Sequence, residues 1–395
     1  MTERPASGAG ERILAEPAPP GEEGGERILT EPAPPGEEGG ERILAEPAPP
    51  GEGGGERILV VGPSWVGDMV MAQSLFMTLK ARHPGCRLGV VAPGWSLPIL
   101  ERMAEVDEAI ALDVGHGEFG WHARRRVARS LRGRFDRAIV LPRSWKSALV
   151  PFLARIPRRL GFTGEQRYGL LNERRRLDKA VLDQTVKRFV ALGLPAEEAA
   201  AGDFPIPWPQ LAVDDGNLAE LRRRHGLSSR PAIGMMPGAE YGPAKQWPLG
   251  HFRTLAEALV AEGFEVRVLG GPKDDEAGKT IAEGLAHVHN LCGRTRLADA
   301  VDLLADCRQV VTNDSGLMHV AAAAGTRVHA LYGSSSPAYT PPLTDSAEIH
   351  TLALECSPCF ARTCPLGHTR CLTELSPQRL LAAVLGAERR IAVEE

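Results

Sequence analysis

What most constrains the fold of this chain is a unit that recurs along it. A short apolar, β-branched run closes on a Gly- or Pro-containing corner and gives way to a helical period. Ile58-Leu59-Val60-Val61-Gly62 followed by the amphipathic stretch 66–82 is the first instance. A run that is apolar on both faces belongs to a strand buried in a parallel sheet, because a half-exposed strand would alternate. Further strands are expected over 88–92, 109–112 and 137–141, with a helix over 118–131. The segment 194–211 is rich in Ala and Pro with little periodicity and reads as an interdomain linker. Beyond it, strands are expected at 232–237, 265–270, 288–292, 309–313 and 327–332, alternating with helices near 251–262, 274–286, 297–306 and 317–324. Strands alternating with helices require parallel sheets covered on both faces. The expected fold is therefore α/β, with two Rossmann-like doubly wound domains facing a central cleft.

The tetrapeptide Glu-Arg-Ile-Leu opens four successive stretches, at Glu11, Glu26, Glu41 and Glu56. After the first three comes Glu-Pro-Ala-Pro-Pro and a Gly/Glu tract, in which Pro removes ladder donors and nothing apolar remains to bury. Residues 1–55 are expected to be a disordered tandem-repeat leader, 56–205 an N-terminal domain and 206–395 a C-terminal domain. The overall charge of −4 hides an asymmetry: residues 1–55 hold 4 Lys and Arg against 12 Asp and Glu, and residues 56–210 hold 24 against 16. The basic excess in the first folded half fits solvated helix faces or an anionic partner. No apolar run reaches the ~18 residues of a membrane span, and the N-terminus lacks a secretory signal, so a cytoplasmic location is expected.

In open α/β sheets, ligands bind beyond the carboxyl ends of the strands, so chemistry is sought at the strand-to-helix corners. Residues 310–337 read VVTNDSGLMHVAAAAGTRVHALYGSSSP. Asn313, Asp314 and Ser315 stand where N-caps stand, and Gly316 lets another group approach the backbone. Capping alone accounts for them; a helix start beside a Gly-rich turn also presents N–H groups to a phosphate. Gly333-Ser334-Ser335-Ser336 repeats that offer one strand along, and the pair suits a diphosphate. In MMPGAEYGPAKQWP, Lys245 is either solvent-exposed or, inside an apolar Gly/Pro loop, a phosphate counter-charge. Asp274, Asp275 and Glu276 fall at a helix start, where the macrodipole favours carboxylates and where one could hold ribose hydroxyls. Asp68 opens the first helix, as an N-cap or as a carboxylate placed to take a proton from an attacking hydroxyl. The Gly62-x4-Gly67 spacing matches neither a dinucleotide fingerprint nor a P-loop.

These stretches resemble the ADP-heptose:lipopolysaccharide heptosyltransferases of glycosyltransferase family 9. The resemblance runs from about residue 58 to 385 and is carried by GPSWVGDMVMAQSLF, PGAEYGPAKQWP, NDSGLMHVAAAAG, LYGSSSP with YTPPL, and CSPCFARTCPLGH, in that order. It implies a GT-B enzyme with an acceptor-binding N-terminal domain, an ADP-sugar-binding C-terminal domain, inversion at the anomeric carbon and no catalytic metal. It further implies an ADP-heptose donor and an anionic lipopolysaccharide inner-core acceptor, met at the cytoplasmic face of the inner membrane, with no nucleic acid involved. Asp68 looks like the general base of that family and Lys245 like the lysine supporting the donor diphosphate. Asp314, Ser315, Gly316, Leu317 and His319 look like its donor-sugar and phosphate turn, and Glu276 is added as a donor-side carboxylate. Lys146, in RSWKSALVP, matches an acceptor-side basic position, and Arg143 is added beside it. Two other readings stay open: a nucleotide-sugar epimerase, which would not release free ADP on demand of an acceptor, and a non-catalytic nucleotide-sugar-binding protein, which would not turn over.

Cys356, Cys359, Cys364 and Cys371 follow a C-x2-C-x4-C-x6-C pattern enclosing His368. The spacing leaves a structural zinc site, free thiols and disulfides all open. Cys86, Cys292 and Cys307 lie in apolar patterns and read as buried thiols. Because the leader contributes nothing to the sheet, deleting residues 1–54 is expected to leave transfer activity and melting temperature unchanged. A melting temperature lower by several degrees would show that the repeats pack.

Overall fold

The computed structural model describes residues 55–115 and 118–394, so all of the expected leader but Gly55 lies outside the described residues. Among them, twelve strands form two six-stranded sheets. The first contains β1 (Arg57–Val61), β2 (Arg87–Ala92), β3 (Glu108–Ala111), β4 (Arg137–Val140), β5 (Arg158–Phe162) and β6 (Glu173–Arg175), in the order β3-β2-β1-β4-β5-β6. The second contains β7 (Ala232–Met236), β8 (Glu265–Val268), β9 (Val288–Asn290), β10 (Gln309–Asn313), β11 (Arg327–Leu331) and β12 (Ala347–His350), in the order β12-β11-β10-β7-β8-β9. Every pairing is parallel. β1 is central: Val60 stands between Val90 and Ile139, and Ile58, Leu59 and Val60 are fully buried. Its uninterrupted apolar run is what a strand covered on both faces needs.

Strands β5, β6 and β12 were not expected from the sequence. Arg158-Arg159 and Arg174-Arg175 read as charged runs, yet β5 buries Leu160 and Phe162, and β6 is an edge strand, where charge is tolerated. Arg158 reaches Glu173 across that edge at 2.7 Å. The helices Thr185–Ala191, Asp215–His225 and Pro377–Glu394 were likewise unanticipated; the last buries Leu380, Val384 and Ala387. The Pro/Ala-rich stretch holds one short helix, Ala196–Ala201, and then runs extended. That extended run is pinned to both halves. The Ser74 hydroxyl donates to the Pro207 carbonyl at 2.6 Å, Gln73 exchanges hydrogen bonds with the Gln210 backbone at 2.7 and 3.0 Å, and Leu211 N–H donates to the Ala323 carbonyl at 2.9 Å.

Each sheet reverses its strand order once, between β1 and β4 and between β7 and β10. The crevice at such a switch point is where an open α/β sheet binds its ligand. The four corners after these strands begin at Gly62, Leu141, Pro237 and Asp314.

Candidate functional site

At the first corner, Gly62 N–H donates to the Val91 carbonyl at 2.9 Å, and the chain turns into the helix Val66–Arg82 with Asp68 in its first turn, half-buried. The helix Gly316–Ala323 begins opposite, and the two N-termini meet through their glycines. A Cβ on Gly67 would stand 2.7 Å from His319 Cδ2 and 3.2 Å from Gly316 Cα; one on Gly316 would stand 3.3 Å from the Gly67 nitrogen. No side chain fits there. Asp68 from the first sheet is thus carried next to the donor-type turn of the second, beside the positive ends of two helices.

The loop after β7 is tied to the end of β10 by one buried side chain, Asn313. Its Oδ1 accepts from Trp247 N–H at 3.0 Å and its Nδ2 donates to the Pro237 carbonyl at 2.6 Å, so it clasps both ends of the loop. The one-turn helix Pro243–Lys245 then aims Lys245 Nζ at Asp314 Oδ2, 2.6 Å away, with the side chains 17% and 6% exposed. The Lys245 ammonium also lies 5.0 Å from the centre of the Tyr241 ring. A lysine so fixed is a positioned positive charge rather than a solvated surface group.

Ser315 is extended and leads into the first amides of the 316–323 helix, N–H groups that a helix leaves without intrahelical partners. One strand along, Ser334 and Ser335 are 1% and 7% exposed, and their hydroxyl oxygens have no hydrogen-bond partner within the protein. Buried hydroxyls are ordinarily satisfied, so two adjacent orphans mark a place built for a polar guest. Leu317 is half-buried behind the turn. Burial pushes His319 down to about 4, against the opposing pull of Asp314 and with the help of Lys245. Its imidazole is neutral in the fold. Burial, reinforced by Asp314, pushes the Tyr332 hydroxyl well up, and it is held between the Thr340 carbonyl at 2.7 Å and Met318 Sδ.

Glu276 is not gathered with these groups: its side chain is 85% exposed and pairs with Lys279 at 2.9 Å. The neighbouring Asp274 is the carboxylate that turns inward. It accepts from Gly271 N–H at 2.8 Å, a Cβ on Gly238 or Gly270 would stand 2.6 Å from its oxygens, and burial raises its pKa. On the first sheet, Lys146 and Arg143 occupy the corner after β4, next to the Asp68 corner. Arg167, buried, holds that loop by donating to the Pro142 and Phe162 carbonyls at 2.6 Å each. Beside Lys146, the exposed ring of Phe119 stacks on Trp121 at 5.9 Å and meets Trp145, tilted by 33°, at 5.3 Å. Asn313 as clasp and Arg167 as loop anchor escape a motif reading, because their roles depend on distant backbone groups.

Cys356, Cys359, Cys364 and Cys371 are free, half-buried thiols lining one cavity of about 370 Å³; Cys86, Cys292 and Cys307 are buried, as expected. Among the described residues, the one group of three potential metal ligands lying within 4.8 Å of one another is His329, Glu348 and His350. Those imidazoles are already hydrogen-bonded, His329 Nε2 with Gln309 Oε1 at 2.7 Å and Nδ1 with His350 Nε2 at 3.1 Å.

Two predictions come from this geometry. Removing Lys245 alone leaves Asp314 buried and uncompensated, at a cost of about 3–5 kcal/mol. Lys245→Ala should therefore melt lower than Lys245→Ala/Asp314→Asn, while both lose affinity for ADP in calorimetric titration. Unchanged affinity in both would remove the donor phosphates from this corner. Second, burial holds His319, His329 (about 3) and His350 below the ~6.5 of a free imidazole, so each takes up its proton on unfolding. Their contribution to stability is whole above about pH 6.5 and is lost as pH falls toward 4. Melting temperature should decline across that window; a flat profile would mean that the imidazoles are not buried as neutral groups.

The sequence profile of glycosyltransferase family 9 (heptosyltransferase) matches residues 124–370. Lipopolysaccharide heptosyltransferase 2 of Salmonella typhimurium is 49% identical over 333 residues, covering 82% of this chain and 96% of that protein. The Escherichia coli K12 protein of the same name is 48% identical with the same coverage. The solved structure of E. coli ADP-heptose lps heptosyltransferase II superposes with a TM-score of 0.75 at 46% identity, over 84% of this chain and 98% of that one.

Proposed function

The chain belongs to glycosyltransferase family 9, the heptosyltransferases, and from that premise we propose that it transfers heptose from ADP-L-glycero-D-manno-heptose to the lipopolysaccharide inner core, placing the second heptose on the first. Its two sheets form a GT-B enzyme. The observation that carries the mechanistic reading is the glycine-to-glycine contact, which brings the Asp68 corner and the donor-type turn within reach of one substrate pair.

In this reading ADP-heptose lies across the corners after β7, β10 and β11. Lys245, the first amides of the 316–323 helix and the Ser334 and Ser335 hydroxyls receive its diphosphate. Ser315, Gly316, Leu317 and His319 shape the turn against the sugar. Asp274 is better placed than Glu276 to meet a polar group of the nucleoside. The acceptor hydroxyl approaches from the first sheet, with Lys146 and Arg143 meeting its anionic groups. Its oxygen forms a bond to the anomeric carbon on the face opposite the diphosphate, and the carbon–oxygen bond to the diphosphate breaks, its electron pair leaving with ADP. Asp68 takes the hydroxyl proton. One displacement inverts the anomeric centre, so a single carboxylate suffices. Negative charge grows on the diphosphate as the bond breaks, and fixed N–H groups with Lys245 stabilise that charge more in the transition state than in the ground state. On this reading those groups take the part that a metal ion plays in other transferases, and no ion is needed for catalysis.

No helix among the described residues is long and apolar enough to cross a membrane. We propose peripheral attachment to the cytoplasmic face of the inner membrane. The exposed rings of Phe119, Trp121 and Trp145 and the exposed Arg125, Arg126 and Arg129 give one surface both the aromatic and the cationic character that an anionic lipid surface attracts.

ADP release, measured with ADP-heptose alone and with a heptose-bearing acceptor, tests the proposal. Release that requires the acceptor supports transfer, and binding without turnover would favour the non-catalytic reading. Asp68→Asn should keep ADP affinity and lower turnover by ~10²–10⁴, the range for losing a general base. Turnover at the wild-type rate in that variant would take Asp68 out of the mechanism.

A further inference from the structure

Residues 351–369 form neither helix nor strand, yet they fasten both phosphate-type corners of the second sheet. Phe360 N–H donates to the Ser334 carbonyl at 2.6 Å, Ala244 N–H to the Arg362 carbonyl at 3.0 Å, and the Tyr241 hydroxyl to the Phe360 carbonyl at 2.8 Å. The Arg362 guanidinium lies 5.2 Å from the centre of the same Tyr241 ring that Lys245 faces. A Cβ on Gly242 would stand 2.5 Å from the Arg362 carbonyl oxygen, so loop and strap run backbone against backbone. The strap has little apolar core of its own to hold it in that place. A covalent or metal staple is one way to hold a segment that lacks an apolar core.

The four cysteines sit where such a staple would act. The cavity they line with His368 is walled on its other side by Ala244, Gly333 and Ser334, which belong to the Lys245 loop and the serine turn. Cys371 is close enough to Gly333 that a Cβ there would stand 3.1 Å from its sulfur. Cys364 opens the tight turn Cys364-Pro365-Leu366-Gly367-His368, closed by Gly367 N–H on the Cys364 carbonyl at 3.1 Å with Gly367 at φ 70°. Four thiols around one cavity form the donor set of a tetrahedral thiolate site.

We propose that Cys356, Cys359, Cys364 and Cys371 bind one thiolate-preferring divalent ion, zinc, which staples the strap onto the Lys245 loop and the serine turn. The sulfurs stand farther apart than bound ligands do, since no three of them fall within 4.8 Å. Closing to about 2.3 Å from an ion draws the strap inward, so binding and ordering are coupled. The ion is structural; no substrate atom reaches it. The site itself stands on the cysteines alone, whereas its effect on ADP binding rests on the donor-site reading given above.

The test uses full-length protein without a histidine tag. Plasma mass spectrometry should find about one zinc per chain, released by p-hydroxymercuribenzoate and lost in Cys364→Ser and Cys359→Ser. Stripped protein, once the mercurial is removed with thiol, should bind ADP more weakly and turn over up to about 10²-fold more slowly, the cost of displacing a positioning group by an ångström. Adding zinc chloride should restore both. Stripping and reloading wild-type protein keeps the test decisive even if the serine variants fail to fold. Metal far below one per chain, with thiols that titrate freely or are joined as disulfides, overturns the site. Zinc whose removal leaves ADP binding intact overturns the staple, provided that Lys245→Ala still loses ADP; if that variant also binds normally, the donor-site reading has failed instead.

Discussion

The site depends on two glycines being able to touch. Gly67 lies in the first turn of the helix that carries Asp68, Gly316 begins the helix of the phosphate-type turn, and their backbones approach to distances that a single added carbon would violate. Two helix N-termini pointed at one crevice concentrate partial positive charge where a diphosphate would lie. Two sheets packed at any greater distance would leave the carboxylate and the donor corner too far apart for one displacement. The extended run 202–214 supports this contact, since it is bonded to the 66–82 helix at Ser74 and Gln73 and to the end of the 316–323 helix at Ala323. Asp302 adds a second tie. Fully buried, it accepts from Arg102 at 2.7 Å, from Asp214 N–H at 2.8 Å and from Asn217 at 2.7 Å.

On the proposed reading, the donor side is ordered before any ligand arrives. Asn313 fixes both ends of the Lys245 loop, Asp314 holds the lysine, and the strap from 351 to 369 closes over the outside through Phe360 and Arg362. Preorganisation of this kind matters because a charge already in place does not have to be oriented as the bond breaks. The Lys245–Asp314 pair also balances a buried carboxylate that would otherwise be costly, and a diphosphate entering the site offers the lysine a second anion.

Much of this was legible in the sequence, for a physical reason. Central strands such as β1 and β7 are buried on both faces and are apolar along almost their whole length, so their runs stand out. The corners after them carry glycine and small polar residues because the backbone turns sharply there, and Asp68, Lys245 and Asp314 stand at those corners. Two of the four edge strands, β6 and β12, escaped: β6 is Glu-Arg-Arg, and solvent on one side permits that composition. The choice among Asp274, Asp275 and Glu276 also could not be read from their order. Helix phase decides which of three consecutive carboxylates turns inward, and phase is set by the Gly271 cap and the Gly238 contact, not by composition. Arg167 is in sequence one of the many charges of a basic half, yet it is buried and spent on the carbonyls of Pro142 and Phe162.

The most direct test of the account is the kinetic split of Gly67→Ala. The added carbon meets His319 and Gly316 first and pushes the Asp68-bearing helix start away from them, whereas Lys245 keeps its tie to Asp314 and the serine turn its tie to Ser357. ADP affinity measured by calorimetry should stay near the wild-type value while turnover falls by about 10²-fold, as expected when reacting groups are displaced by an ångström. Wild-type turnover, or ADP affinity falling in step with turnover, would contradict the claim that this contact sets the distance between base and donor.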